Sequence, residues 1–314
     1  MSEALELTIA LLSHGQTDAL RDGRVKPRGI ALQHIEVNPP PMIYRRMVRT
    51  LEFDVAEVAT TTFLCAKSFG KPISAIPVFS NRDLTLTPIV CATSSGIEEP
   101  KDLEGKRVGM RSYTETNTTQ TRALLRSEFG LDTDRVNWVI VEDAHVAEYE
   151  PPPNVEMIDG ADLAEMLKSG GIDALMAPRL EPGDSQKLLL SQEQAEEATL
   201  GFYRRTGVYP IGHVQVVKDD VVAANPWVVG ELFQAFKESK LIYLNEVYKK
   251  SKPNARDEQV MRNRELIGGD PLPYGVSRNR AALEAAVQMN LDQHVIPVRL
   301  DVDGLFAAGS LELE

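Results

Sequence analysis

Histidine is the side chain whose ordinary pKa, near ~6.5, lies closest to neutral pH, so the five histidines of this chain are the first place to look for chemistry. His213 closes the run Tyr209-Pro210-Ile211-Gly212-His213 inside a strand-like stretch from Thr206 to Val217. It suits giving or taking a proton. A core histidine bonded to a backbone carbonyl is the competing use. Glu57 ends a short strand and either orients a substrate hydroxyl or His213, or serves the start of the next helix through Thr60 and Thr61. Arg82 follows a strand end, where a guanidinium forks onto a carboxylate or joins a surface salt bridge. These three form the expected catalytic set. His14, in the loop Ser13 to Asp18, is placed to touch a ligand, and His145 and His294 read as surface positions.

No His-Glu-x-x-His spacing, Gly-x-Gly-x-x-Gly or Walker run is present. The expected cofactor is therefore none, although scattered His and Glu ligands for a divalent metal would leave no such signature.

Further binding candidates come from one strand–loop–helix stretch, Pro100 to Gly130. Arg107–Met110 reads as a strand, and a helix carrying Ala123, Leu124, Leu125 and Phe129 stops at Gly130. The loop between them offers Arg111 and Tyr113, and the helix start offers Thr116 and Thr118. Free N–H groups at such a start suit a carboxylate; plain helix capping is the commoner use of Thr. Arg179, after the strand Ile172–Ala177, joins this binding set, with solvent exposure as the alternative for Arg111, Tyr113 and Arg179.

Leu5–Leu12, Ala31–Val37, Phe53–Val58 and Ile73–Phe79 read as strands. They alternate with helices opened by Pro39-Pro40-Pro41 and Thr60-Thr61-Thr62. Leu84–Ala92 is a first crossing, followed by strands at Arg107–Met110, Val136–Val141, Val155–Ile158 and Ile172–Ala177. Glu181 to Thr199 is polar, an expected surface excursion, and Thr206–Val217 is the return crossing. Helices then dominate, at Pro226–Tyr248, Asp257–Leu266 and Arg278–Leu291. The pattern predicts an α/β protein of two lobes. Residues 1–92 and 213–314 form a discontinuous lobe 1, 93–212 an inserted lobe 2, and a ligand cleft lies between them.

At 43% hydrophobic, 314 residues hold ample core material. The net charge of −12, without a basic cluster, argues against nucleic acid or an anionic membrane as partner. Met1 to Leu12 lacks a signal-peptide pattern and no apolar run is long enough to span a bilayer, so a cytoplasmic location is expected. Cys65 and Cys91 read as buried, reduced thiols.

Three segments resemble the type II periplasmic-binding-protein fold: Ile97 to Gly109, Leu167 to Leu175, and the return crossing. More specifically, the chain resembles the 4,5-dihydroxyphthalate decarboxylases, cytoplasmic enzymes of that fold. The resemblance rests on Asp22-Gly23-Arg24-Val25-Lys26-Pro27-Arg28-Gly29-Ile30, Glu52 to Glu57, Ile76-Pro77-Val78-Phe79, Tyr209 to His213, and Asp270 to Arg280. It implies two mixed sheets flanked by helices and the loss of carbon dioxide from a hydroxylated, phthalate-like carboxylate. It makes a small anionic aromatic compound the partner and leaves an assembly of identical copies open. Where the family carries Phe-Arg-His-Ser after Arg82, this chain reads Leu84-Thr85-Leu86-Thr87, and His14 stands where the family has Tyr. A solute receptor for a small carboxylate and another lyase of the same fold are the alternatives. A desulfinase would want a reactive cysteine.

Overall fold

The computed structural model describes residues 4–314; the Met1 to Leu12 reading therefore begins on three residues outside the described ones. The chain runs β1 (Leu5–Ala10), α1 (Gly15–Arg21), β2 (Ile30–His34), α2 (Met42–Thr50), β3 (Val55–Ala59), α3 (Thr60–Ser68), β4 (Ile73–Ser80) and β5 (Ile89–Ala92). Next come β6 (Arg107–Met110), α4 (Thr116–Phe129), β7 (Asn137–Ile140), β8 (Val155–Met157), α5 (Leu163–Ser169), β9 (Ala174–Met176), β10 (Gln186–Leu188) and α6 (Gln192–Thr206). The last part holds β11 (His213–Lys218), α7 (Asp219–Ala224), α8 (Val228–Val247), α9 (Ala255–Ile267) and α10 (Val276–Asp292).

Two strand-like runs are shorter than their composition predicts. Leu84–Ala92 is strand only from Ile89, and Thr206–Val217 only from His213. Gly207, at φ 69°, ends α6 in the left-handed region, so Pro210 to Gly212 enter β11 as coil. The polar stretch Glu181 to Thr199 includes β10 and the start of α6, opened by a reciprocal Ser191–Gln194 cap. Its polarity reflects exposure rather than lack of structure.

The chain divides into two compact units. The first comprises residues 1–83, 209–284 and 300–314; the second comprises 84–208 and 285–299. The dividing points precede those read from the sequence, and the stretch 285–299 counts with the second unit. Both units carry a mixed sheet flanked by helices, the α/β class the pattern predicts. The sheet of the first unit has the order β2-β1-β3-β11-β4. β1 runs parallel to β2 and β3, and β11 lies antiparallel between β3 and β4. Pro77 falls where the β11–β4 register shifts, between Ile76 and Phe79, a bulge that tolerates its missing N–H.

Under this sheet the core joins Leu7, Ile9, Val55 and Val217 to Leu20 of α1 and to Leu232, Phe233 and Phe236 of α8. Helix α1 approaches α8 so closely that a Cβ on Gly15 would stand 2.1 Å from the Tyr243 ring. Only glycine fits at this end of α1, one residue from His14.

The sheet of the second unit has the order β10-β5-β9-β6-β7-β8. Its most buried charge is Arg122 on α4, whose guanidinium carbon lies 4.0 Å from the Tyr113 ring centre and 5.4 Å from that of Trp138. It donates to Gln293 Oε1, at 2.6 Å, and to the Tyr113 carbonyl, at 2.8 Å. Burial pushes its pKa below the usual arginine value. Among the described residues no helix is long and apolar enough to cross a membrane.

Candidate active site

Residues directly opposite in an antiparallel pair project to the same face. In β3 and β11 the pairs are Glu57 with Gln215 and Ala59 with His213, and across β11 His213 faces Ser80 of β4. One face at one end of the sheet thus carries Glu57, Ser80, His213 and Gln215. The N-terminus of α1 brings His14 to the same point.

Glu57 is the hub and is fully buried. Its Oε1 accepts from His14 Nε2 at 2.6 Å, His213 Nδ1 at 2.8 Å and Ser80 Oγ at 2.8 Å, and its Oε2 accepts from the Leu12 N–H at 3.2 Å. Four donors, from β4, β11, the coil after β1 and the residue before α1, offset the cost of taking a carboxylate out of water. Hydrogen bonding to Glu57 assigns the proton of His213 to Nδ1 when the ring is neutral. That turns Nε2 toward the Tyr44 hydroxyl, 3.2 Å away, with the His213 side chain 13% exposed. Ser80 also receives the Gln215 amide at 3.4 Å, while Gln215 Oε1 and Thr60 Oγ1 are buried without a hydrogen-bond partner among the described residues. His14, Glu57 and His213 each present one ligand atom, all within 4.8 Å of one another.

The backbone around the hub is tightly set. Asn81, next to Ser80, takes a left-handed φ of 54°, a conformation Asn tolerates better than most residues. A Cβ on Gly212 would stand 2.2 Å from the Asn81 carbonyl oxygen, a backbone atom that cannot swing aside. Gly212→Ala should therefore cost about 1–3 kcal/mol as an overpacking change. Thermal unfolding reads this as a lower midpoint; an unchanged midpoint contradicts the close approach.

The family model described as NMT1/THI5 like matches residues 25–245. The chain belongs to the NMT1/THI5-like family. Over 331 aligned residues it is 27% identical to a 4,5-dihydroxyphthalate decarboxylase of Comamonas testosteroni, covering 98% of each chain. A 4,5-dihydroxyphthalate decarboxylase of Pseudomonas putida is 29% identical over 189 residues, 56% of this chain and 71% of that protein. The likeness drawn from the motifs thus extends over 98% of the chain for the first of these decarboxylases and 56% for the second. The alkanesulfonate-binding protein SsuA of Xanthomonas axonopodis pv. citri superposes with a TM-score of 0.56 at 16% identity, covering 98% of this chain and 99% of that one. This likeness carries the fold alone and agrees with the expected binding-protein architecture.

Within this NMT1/THI5-like chain the expected residues fare unequally. His213, Glu57 and His14 meet, and His14, the departure from the decarboxylase pattern, is bonded to the hub itself. Arg82 does not act as an open fork. It is 5% exposed, its Nε donates to the Pro210 carbonyl at 2.7 Å, its Nη1 to Asn279 Oδ1 at 2.6 Å and its Nη2 to the Tyr209 carbonyl. Its guanidinium carbon also lies 4.3 Å from the Tyr209 ring centre. These contacts make it a brace for the strand that delivers His213.

Thr60 and Thr61 are buried in the first turn of α3, beside the hub strand, and the Thr60 N–H donates to the Gly212 carbonyl at 2.9 Å. Arg111, Tyr113, Thr116, Thr118 and Arg179 belong to the second unit. There Arg111 pairs with Glu115 and Glu142, and Tyr113 is buried with its hydroxyl unpartnered among the described residues. Thr116 and Thr118 are buried in the first turn of α4, with Thr118 Oγ1 donating to the Glu115 carbonyl at 3.0 Å, and Arg179 is exposed at φ 57°. Sequence reasoning missed Tyr44, Ser80 and Gln215. Gln215 had a visible signal, a lone amide in the apolar run His-Val-Gln-Val-Val. Cys65 and Cys91 are both buried, and burial pushes the Cys91 thiol up to about 12, unlike a nucleophile.

Proposed function

We propose that this protein is a carboxy-lyase that removes carbon dioxide, without oxidation, from a hydroxylated aromatic dicarboxylate such as 4,5-dihydroxyphthalate, leaving protocatechuate. The observation that carries the reading is a carboxylate holding two imidazoles on one oxygen, in a chain similar along its length to a decarboxylase of that name.

The chemistry needs one proton for every carbon dioxide lost. The bond between the ring carbon and the departing carboxylate breaks, its electron pair stays on the ring, and His213 Nε2 supplies the proton that takes its place. Glu57 holds Nδ1, so the ring faces outward in one orientation, and it is the counter-charge while the imidazole carries its second proton. Tyr44 lies next to the same nitrogen, and the partly exposed ring regains its proton from solvent. His14 and Ser80 keep the Glu57 carboxylate from turning. A pure solute receptor needs no such relay, and the buried thiols fit a desulfinase poorly.

The three ligand atoms within 4.8 Å favour one second reading. Two imidazole nitrogens and a carboxylate oxygen form a donor set for a divalent cation. One experiment separates the readings. Purified protein is incubated with a panel of hydroxylated aromatic carboxylates, and carbon dioxide is followed with and without a chelator. Release from ortho-dicarboxylates that survives the chelator is the expected result. Release abolished by chelator and restored by a divalent ion would replace the relay with a metal site. No release from any member would end the decarboxylase reading.

A further inference from the structure

The hub has a second property that needs no substrate. Among the described residues, His14, Glu57 and His213 form a group in which each side chain brings a ligand atom within 4.8 Å of the others, and all three belong to the first unit. His14 Nε2 and His213 Nδ1 stand 2.6 and 2.8 Å from Glu57 Oε1. Zinc held by imidazole and carboxylate at about 2.0–2.2 Å keeps its ligand atoms about 3.4 Å apart, so each ring has to retreat by only about 0.6–0.8 Å.

The surroundings suit an ion in place of the two ring hydrogens. Ser80 Oγ, at 2.8 Å, and the Leu12 N–H, at 3.2 Å, hold the Glu57 carboxylate whether or not the histidines donate to it. The Tyr44 hydroxyl, 3.2 Å from His213 Nε2, can accept the proton that this ring carries on Nε2 once Nδ1 is a ligand. A carboxylate held by neighbouring donors and a partnered second ring nitrogen are what orient metal ligands. Three protein ligands leave a further coordination position open. The His213 side chain, 13% exposed, is the most accessible of the three, beside 4% for His14 and 0% for Glu57. Two imidazoles favour zinc and its neighbours over magnesium and calcium, which take oxygen ligands.

We infer that His14, Glu57 and His213 bind one zinc-class divalent cation, and that the ion inhibits carbon dioxide release rather than promoting it. With Nδ1 of His213 on a metal, giving up the Nε2 proton would leave an imidazolate instead of a neutral ring, and Glu57 is no longer free to act as counter-charge. The inhibition rests on the decarboxylase reading; the binding does not. Chelator-treated full-length protein is titrated with Zn²⁺ by calorimetry, beside Ser80→Ala and His14→Ala. Wild type should take up one Zn²⁺ per chain, which excess Mg²⁺ does not displace. Ser80→Ala, which removes a neighbour of a ligand, should weaken binding about 10–100-fold, and His14→Ala, which removes a ligand, by more than that. Zn²⁺ should also raise the thermal midpoint of wild type and lower its carbon dioxide release in step with binding, and chelator should restore release. Zn²⁺ binding by folded His14→Ala within twofold of wild type, or a wild-type midpoint that Zn²⁺ does not move, overturns the site. Bound Zn²⁺ that leaves release unchanged or raises it overturns the inhibition. His14-dependent binding in a protein that releases no carbon dioxide would instead uphold the site and sink the reaction.

Discussion

Glu57→Gln lowers kcat for carbon dioxide release by about 10²–10⁴-fold, the range over which a positioned acid–base group acts, while KM changes little. The substitution keeps the shape of the side chain and removes two properties. All four neighbours of the carboxylate donate to it: both histidine rings, the Ser80 hydroxyl and the Leu12 N–H. An amide placed there turns two N–H groups toward donors, and each buried polar group left unsatisfied costs about 1–3 kcal/mol. It also removes the negative charge that accompanies a protonated ring through each turnover. Glu57→Ala is a poorer probe, because it opens a cavity and strands every donor at once. Circular dichroism should show the native fold in Glu57→Gln with a lowered thermal midpoint. A folded variant whose kcat stays within twofold of wild type would mean that the carboxylate is a packing feature only.

The elements of this chain were legible because apolar residues repeat at strand and helix spacings and because Gly130, Gly207 and Gly268 end their helices in the left-handed conformation. Glu57 and His213 were legible as single positions, one a charge in an apolar strand and the other an imidazole at a strand start. Their meeting with His14 and Ser80 was not. It depends on an antiparallel strand placed between two parallel ones, so partners 14, 57, 80 and 213 come together through sheet order. No local spacing encodes that order. Arg82 misled for a related reason. A strand end looks open in sequence, whereas its hydrogen-bond acceptors, Tyr209 and Pro210, lie 127 and 128 residues further on.

The shortening of the return run to β11 also bears on function. Pro210, Ile211 and Gly212 are coil, and the Gly212 carbonyl accepts from Thr60 at the start of α3. His213 therefore begins its strand with the backbone on its N-terminal side tied to α3 and braced by Arg82. The ring is then oriented by Glu57, so position and direction are set by different contacts. Such double support is what keeps a proton donor within reach of one carbon atom rather than several.

The most direct test compares carbon dioxide release from 4,5-dihydroxyphthalate by wild type and by folded His213→Ala. Delivery of the proton from His213 predicts that kcat falls about 10²–10⁴-fold in the variant while the substrate still binds. Near wild-type turnover by His213→Ala would contradict it.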